Sequence, residues 1–248
     1  MDEYLLPGER LCKLERRGFR LIQKPGDGCF TQDSVLLADF AGAKARQKVC
    51  DLGAGDGALG MLLMAREPSI TCAMVEIRQD LCERMLRSAA LNGVAASTSV
   101  HCLDFTEAPK ALGKGGFDLV VSNPPYHHVS PEPMTKSERM ARQQLTCDVR
   151  SIAGIAAVLL RPRGRFCLCF PAARVLEGGE ALRMHGMEPK RLRFVASFHT
   201  RAPYLCLMEG IKGAKRGLMV MKQLVQFDAP GQWTREMGII YEGNGEPA

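Results

Sequence analysis

The chain has 248 residues, 46% of them apolar and 24% charged, and a net charge of +6. These values suit a globular fold and leave room for one large α/β domain or two small ones. No apolar run reaches the ~20 residues of a membrane helix, and Met1-Asp2-Glu3-Tyr4-Leu5-Leu6-Pro7 lacks the basic and apolar regions of a secretory signal, so a cytoplasmic chain without membrane contact is expected.

Residues 1–30 are mixed, with Pro25-Gly26-Asp27-Gly28 as a turn. Thr31 stands where a cap would start a helix through Ser34 to Phe40. An alternation then begins. Lys48 to Leu52 reads as a strand, Gly57 to Arg66 as a helix stopped by Pro68, and Ile70 to Glu76 as a strand. Arg78 to Asn92 reads as a helix ending at Gly93, Thr98 to Asp104 and Phe117 to Ser122 as strands, and Cys147 to Leu160 as a helix. Gly164 to Phe170 is a further strand and Ala172 to His185 a helix. This order predicts an α/β fold: a mostly parallel sheet with helices on both faces. Leu192 to Ser197, Tyr204 to Gly210 and Leu218 to Phe227 follow without helices between them, as an antiparallel C-terminal edge would. Residues 1–45 read as an N-terminal extension or lid, 46–242 as the main domain and 243–248 as a loose tail.

The first strand runs into Asp51-Leu52-Gly53-Ala54-Gly55-Asp56-Gly57 and then a helix. Glycines there allow a tight turn and let a ligand approach the backbone. The spacing also fits the dinucleotide fingerprint of nicotinamide and flavin enzymes. Glu76, followed by Ile77, ends the second strand, where a carboxylate can accept both hydroxyls of a ribose. Asp104 ends the third, placed to accept from an adenine amino group with Phe105 packing on the ring. In a parallel sheet these strand ends line one rim, where ligands bind.

The fourth strand ends on that rim in Ser122-Asn123-Pro124-Pro125-Tyr126. A planar amino group conjugated to a ring is a weak nucleophile because its lone pair is delocalised. Two acceptors aimed at its N–H bonds would draw the nitrogen toward a tetrahedral shape and localise that pair. The Asn123 side-chain carbonyl and the Pro124 backbone carbonyl supply two acceptors. Pro124 and Pro125 stiffen the backbone that holds them, and Tyr126 offers a ring for stacking. Such preorganised dipoles act where charge develops. The matching electrophile is the sulfonium methyl of S-adenosylmethionine.

Ten cysteines include no C-x-x-C pair. Cys50, Cys72 and Cys102 sit in apolar runs, and Cys167 and Cys169 point to one face of a strand. They read as small buried hydrophobes in a reducing compartment, and no metal site is expected. Basic residues concentrate in two places. Lys136, Arg139 and Arg142 would share a helix face. Arg191, Arg193, Lys212 and Lys215 belong to a basic C-terminal third that could bind an anionic partner.

The glycine loop, Glu76 and Asn123-Pro124-Pro125-Tyr126 resemble the cofactor loop, ribose acid and catalytic motif of class I S-adenosylmethionine-dependent methyltransferases of the amino-methylating type. Within that group the sequence is similar to the tRNA1(Val) adenine-37 N6-methyltransferase family. Three stretches carry this: Gly28-Cys29-Phe30-Thr31-Gln32-Asp33-Ser34-Val35-Leu36-Leu37-Ala38, Ser137-Glu138-Arg139-Met140-Ala141-Arg142, and Gly210-Ile211-Lys212-Gly213-Ala214-Lys215-Arg216-Gly217-Leu218. The family often has Gly-Thr-Asp where this chain has Phe30-Thr31-Gln32-Asp33. The resemblance implies a Rossmann-like, seven-stranded sheet, cofactor contacts at Thr31 and Asp33, and methylation of an adenine N6 in tRNA. Other substrates fit the same motif: a protein glutamine, a DNA adenine or an rRNA guanine. A catalytically silent RNA-binding protein and a nicotinamide oxidoreductase are the readings from other classes.

Overall fold

The computed structural model describes residues 4–14, 18–25, 30–124 and 149–242. Pro125, Tyr126, Lys136, Arg139 and Arg142 lie outside them. A hairpin of β1 (Arg10–Lys13) and β2 (Arg20–Gln23) precedes α1 (Gln32–Ala41). Then come β3 (Lys48–Leu52), α2 (Ala58–Arg66), β4 (Thr71–Glu76), α3 (Gln79–Leu91), β5 (Thr98–Cys102), α4 (Ala108–Leu112) and β6 (Phe117–Ser122). The C-terminal part holds α5 (Val149–Leu159), β7 (Leu160–Pro171), α6 (Val175–Met184), β8 (Met187–Ala196), β9 (Leu205–Lys212), β10 (Met219–Val220), β11 (Leu224–Val225), β12 (Phe227–Ala229), β13 (Gln232–Trp233) and α7 (Arg235–Glu242).

The central sheet has the order β10-β8-β9-β7-β6-β3-β4-β5, with β11 also on β8. Five neighbours, β7-β6-β3-β4-β5, are parallel. Strand order runs one way from β3 through β4 to β5 and the other way through β6 and β7, so the switch point lies between β3 and β6. The Ser122 hydroxyl bridges that gap by donating to the Leu52 carbonyl at 2.7 Å. Ligands bind outside the strand ends at such a point.

Each inner strand is apolar on both faces, as burial under two helix layers demands. Val49, Cys72, Met74, Leu119, Val121, Cys167 and Cys169 pack with α1, α2, α3 and α7. Cys50, Leu52, Ala73, Val75, Val120, Phe166, Leu168 and Phe170 pack with α4, α5 and α6. This strict alternation follows from the two-residue period of a strand. The amphipathic α3 buries Leu81, Cys82, Met85, Ser88 and Ala89.

The C-terminal part of the sheet is antiparallel, as expected: β9 is antiparallel to both β7 and β8 and lies between them. Two expectations change. The segment read as a strand from Leu218 forms two two-residue bridges parallel to β8, which bring the seven longer strands to nine. Thr31 occupies the N-cap of α1, but its hydroxyl makes no cap bond; its backbone carbonyl accepts from the Ser34 N–H at 3.1 Å. The α7 helix was not anticipated. It buries Met237, Ile240 and Tyr241, and Tyr241 lies 4.1 Å from the Trp233 ring, centroid to centroid.

Among the described residues no helix is long and apolar enough to cross a membrane. All eight described cysteines are free thiols.

Candidate active site

The glycine loop is shaped by three left-handed residues, Gly53 (φ 71°), Gly55 (φ 60°) and Gly57 (φ 85°), a region that L side chains enter at a cost. The Gly53 and Ala54 amides both donate to the Val75 carbonyl at 2.9 Å, tying the loop to the tip of β4. The glycines divide by what lies above them. A Cβ on Gly53 or Gly55 would meet nothing within 4 Å, so that side is open for a ligand to approach the backbone. A Cβ on Gly57 would lie 2.8 Å from Met85 Cγ, and one on Gly60 would strike the Met74 side chain. Those two serve packing of α2 and α3 on the sheet.

Asp51 lies beneath the loop, 1% exposed. Its Oδ2 accepts the Gly60 N–H at 3.0 Å, one of the amides that the first turn of α2 leaves without a helical partner. Burial lifts its pKa to about 7; the Gly60 amide opposes the rise, and the carboxylates of Glu76 and Asp56 add to it. Asp56 is likewise raised, chiefly by burial, against the hydrogen bond from Gln23. That bond brings β2 of the N-terminal hairpin onto the glycine loop. Nothing in the sequence pattern pointed to it.

Glu76 stands on the rim. Oε2 accepts from Gly55 N–H at 2.9 Å, and Oε1 from the Ile77 and Arg78 amides at 3.0 and 3.1 Å. Three backbone donors fix the carboxylate between the loop and α3, with acceptor capacity left for a hydroxyl. Ile77, 64% exposed, places an uncovered apolar side chain next to it. Asp104 accepts both the amide and the hydroxyl of Thr106 through Oδ1, at 2.8 and 2.7 Å. Phe105 is half-buried, packed against the core.

Asn123 follows β6 directly. Its Nδ2 donates to the Ser34 hydroxyl of α1 at 2.9 Å, and its Oδ1 accepts from the Cys169 thiol of β7, also at 2.9 Å. Pro124 behind it is buried. Asp33, in the first turn of α1, lies close enough to Cys169 and Tyr204 for its charge to raise both pKa values, in each case after burial, the larger cause. Thr31, at the N-cap, is exposed. Asp51, the glycine loop, Glu76 and Asn123 thus gather around the switch point. Asp33 on α1 lies near Cys169, and Asp104 follows β5, which β4 separates from β3. Among the described residues no group of three or more His, Cys, Asp or Glu is placed to hold a metal.

The basic residues separate. Arg191 binds both oxygens of Glu209 and the Phe40 carbonyl. Arg193 donates to the Lys222 carbonyl and to Glu236. The Lys212 ammonium donates to the Ala157 and Leu160 carbonyls at the end of α5, at 2.6 and 2.7 Å. These three cations are committed to acceptors inside the fold, whereas Lys215 is exposed.

The methyltransferase small domain family model matches residues 28–147. A tRNA1(Val) (adenine(37)-N6)-methyltransferase of Cronobacter sakazakii is 30% identical over 187 residues, which is 73% of this chain and 74% of that one. A protein of the same name from Porphyromonas gingivalis is 27% identical over 71% of this chain and 72% of its own. Among solved structures, a predicted O-methyltransferase from Agrobacterium tumefaciens has a TM-score of 0.70 at 22% identity, covering 85% of this chain and 96% of that one. The Thermus thermophilus 16S rRNA N2 G1207 methyltransferase, solved with AdoMet and guanosine, has a TM-score of 0.57 at 19% identity and covers 82% and 50%. The two structural matches show a common fold, and the relatives show kinship: the chain belongs to the S-adenosylmethionine-dependent methyltransferases, in the methyltransferase small domain family.

Proposed function

We propose that the chain methylates the exocyclic N6 of an adenine in tRNA, with adenine 37 in the anticodon loop of tRNA1(Val) as its target. The observation that carries the reading is Asn123, held at the tip of β6 on the switch point, beside the open glycine loop. The names of the sequence relatives support the choice of tRNA.

Asp51, Gly53, Ala54, Gly55, Glu76 and Ile77 fit the cofactor: an open backbone cradle, a ribose-binding carboxylate and an apolar face for a ring. Gly57 shapes the loop from the packing side. Asp104, Phe105, Thr31 and Asp33 complete the set around it. S-adenosylmethionine supplies a methyl group on a sulfonium, which leaves with the C–S electron pair kept on sulfur, as the acceptor nitrogen forms the new C–N bond and loses one proton to solvent. The chain's residues do the rest by position. Asn123 Oδ1 and the Pro124 carbonyl accept the two amino N–H bonds; the motif assigns stiffening of that backbone to Pro125 and stacking on the flipped base to Tyr126. Extrusion of that base costs a few kcal/mol, offset by phosphate contacts from Lys136, Arg139, Arg142 and Lys215.

The test is incubation with labelled S-adenosylmethionine and total tRNA lacking the modification, followed by nucleoside mapping. N6-methyladenosine in the anticodon loop is expected. Label in guanosine, in DNA or in a protein glutamine would move the substrate while keeping the chemistry. No transfer to any amino group would sink the reading. Asn123→Ala is expected to abolish turnover and leave cofactor affinity within about twofold, since its loss is confined to the transition state.

A further inference from the structure

An asparagine can serve as an acceptor only if its oxygen, not its nitrogen, faces the incoming N–H. The two ends of the amide are nearly equal in shape, and rotation about the last side-chain bond is broad. A reversed Asn123 would set its own NH2 against the NH2 of the substrate. Something must choose the orientation, and the strand periods show what can. Leu119, Val121 and Asn123 share the face of β6 toward α1, as Cys167 and Cys169 do on β7. Ser122 is paired with Leu168, which sets Asn123 beside Cys169. From the other side α1 presents Ser34, 6% exposed.

Each end of the amide therefore has its own partner: Ser34 Oγ accepts from Nδ2 and the Cys169 thiol donates to Oδ1, both at 2.9 Å. Cys169 is fully buried, and burial pushes its pKa well up, which keeps it an S–H donor. Reversal would put the NH2 against sulfur, a weak acceptor. The thiol occupies one of the two lone pairs on Oδ1 and leaves the other for a substrate N–H.

We infer that Ser34 and Cys169 are positioning residues for methyl transfer, gripping the two ends of the Asn123 amide so that its oxygen faces the amino group. This rests on the role of Asn123 proposed above. It assigns to a helix of the N-terminal part and to a buried cysteine a share in the reaction beyond packing.

The test uses the full chain and the variants Ser34→Ala, Cys169→Ala and Cys169→Ser. One readout is independent of activity. The Asn123 side-chain NH2 resonances, identified by their disappearance in Asn123→Asp, are expected to exchange slowly with solvent in the native chain and faster in Ser34→Ala. The other readout is kinetic. Ser34→Ala and Cys169→Ala should each lower kcat on unmodified tRNA by about three- to tenfold, the rate equivalent of one ordinary hydrogen bond, with KM for S-adenosylmethionine unchanged. Cys169→Ser, which restores a donor, should recover most of the rate. If Cys169→Ala fails to fold, Ser34→Ala decides. Wild-type kcat in the alanine variants alongside an inactive Asn123→Ala overturns the inference and spares the methyl-transfer reading. A chain inactive on tRNA overturns that reading, while the NH2 exchange still decides this one. Lower thermal stability with unchanged NH2 exchange would leave the two residues a structural role alone.

Discussion

Asp51 titrates near pH 7 because burial disfavours its charge. A cationic cofactor brought close would favour the carboxylate and pull that value down. Binding of S-adenosylmethionine at pH 7 is thus expected to release about half a proton, read as a dependence of calorimetric heat on buffer ionisation enthalpy. Asp51→Asn should abolish it; identical dependence in that variant would refute the assignment. The sign for stability follows from the raised value. Asp51's favourable contribution is complete below its unfolded pKa of about 4 and is lost as pH rises through about 7. The melting temperature of Asp51→Asn should exceed that of the unliganded wild type by more at pH 8 than at pH 5. The glycines divide similarly. Gly60→Ala drives a methyl into Met74 and should cost about 1–3 kcal/mol in urea unfolding. Gly53→Ala meets open space but is strained at its left-handed φ, so it should cost about 1–2 kcal/mol and in addition lower cofactor affinity. The sequence showed a glycine loop but not this split, because only packing of Met74 and Met85 tells a ligand-facing glycine from a core-facing one.

At the scale of elements, α1 is held by charge. Glu209 on β9 accepts from Arg165 on β7 and Arg191 on β8. The same guanidiniums donate to the Phe40, Ala41 and Gly42 carbonyls at the C-terminus of α1, the end where orphan acceptors and the helix dipole favour cations. Arg191 also stacks 4.6 Å over the Phe40 ring. Burial alone would raise the Glu209 pKa, but Arg191 and Arg165 outweigh it and hold it below the ordinary value. That stabilisation is present above the unfolded glutamate pKa and is lost as pH falls through the lower folded value. Removing the acid leaves two partly buried cations with helix-end carbonyls but without their counter-charge, so Glu209→Ala should cost about 3–5 kcal/mol in denaturant unfolding. A change below about 1 kcal/mol would mean the network is exposed enough to be screened. The sequence grouped Arg191 with surface cations because a list of charges carries no face; the partner acid, 18 residues away, appears only once β8 and β9 pair.

Across the whole molecule, the alternation of strands and helices was legible because it rests on local patterns of apolar residues and stop signals. Legibility ended where distant segments meet: Ser34 and Asn123 are 89 residues apart, and β9 enters the sheet between two strands that precede it. The +6 charge was legible as a total, yet Arg191, Arg193 and Lys212 spend theirs internally. The phosphate contacts proposed for tRNA therefore fall on few cations. The salt dependence of tRNA binding should be shallow, with a slope in log affinity against log salt of about −3 to −4; a slope near −8 would require a wider basic face.

The α1 helix ends at the Glu209 cluster and begins beside Asn123, about three turns of backbone acting as one strut. Loosening its far anchor should let the near end wander before the sheet gives way. In Glu209→Gln, heat should therefore extinguish methylation several degrees below the temperature at which circular dichroism is lost, whereas in the native chain the two losses should coincide.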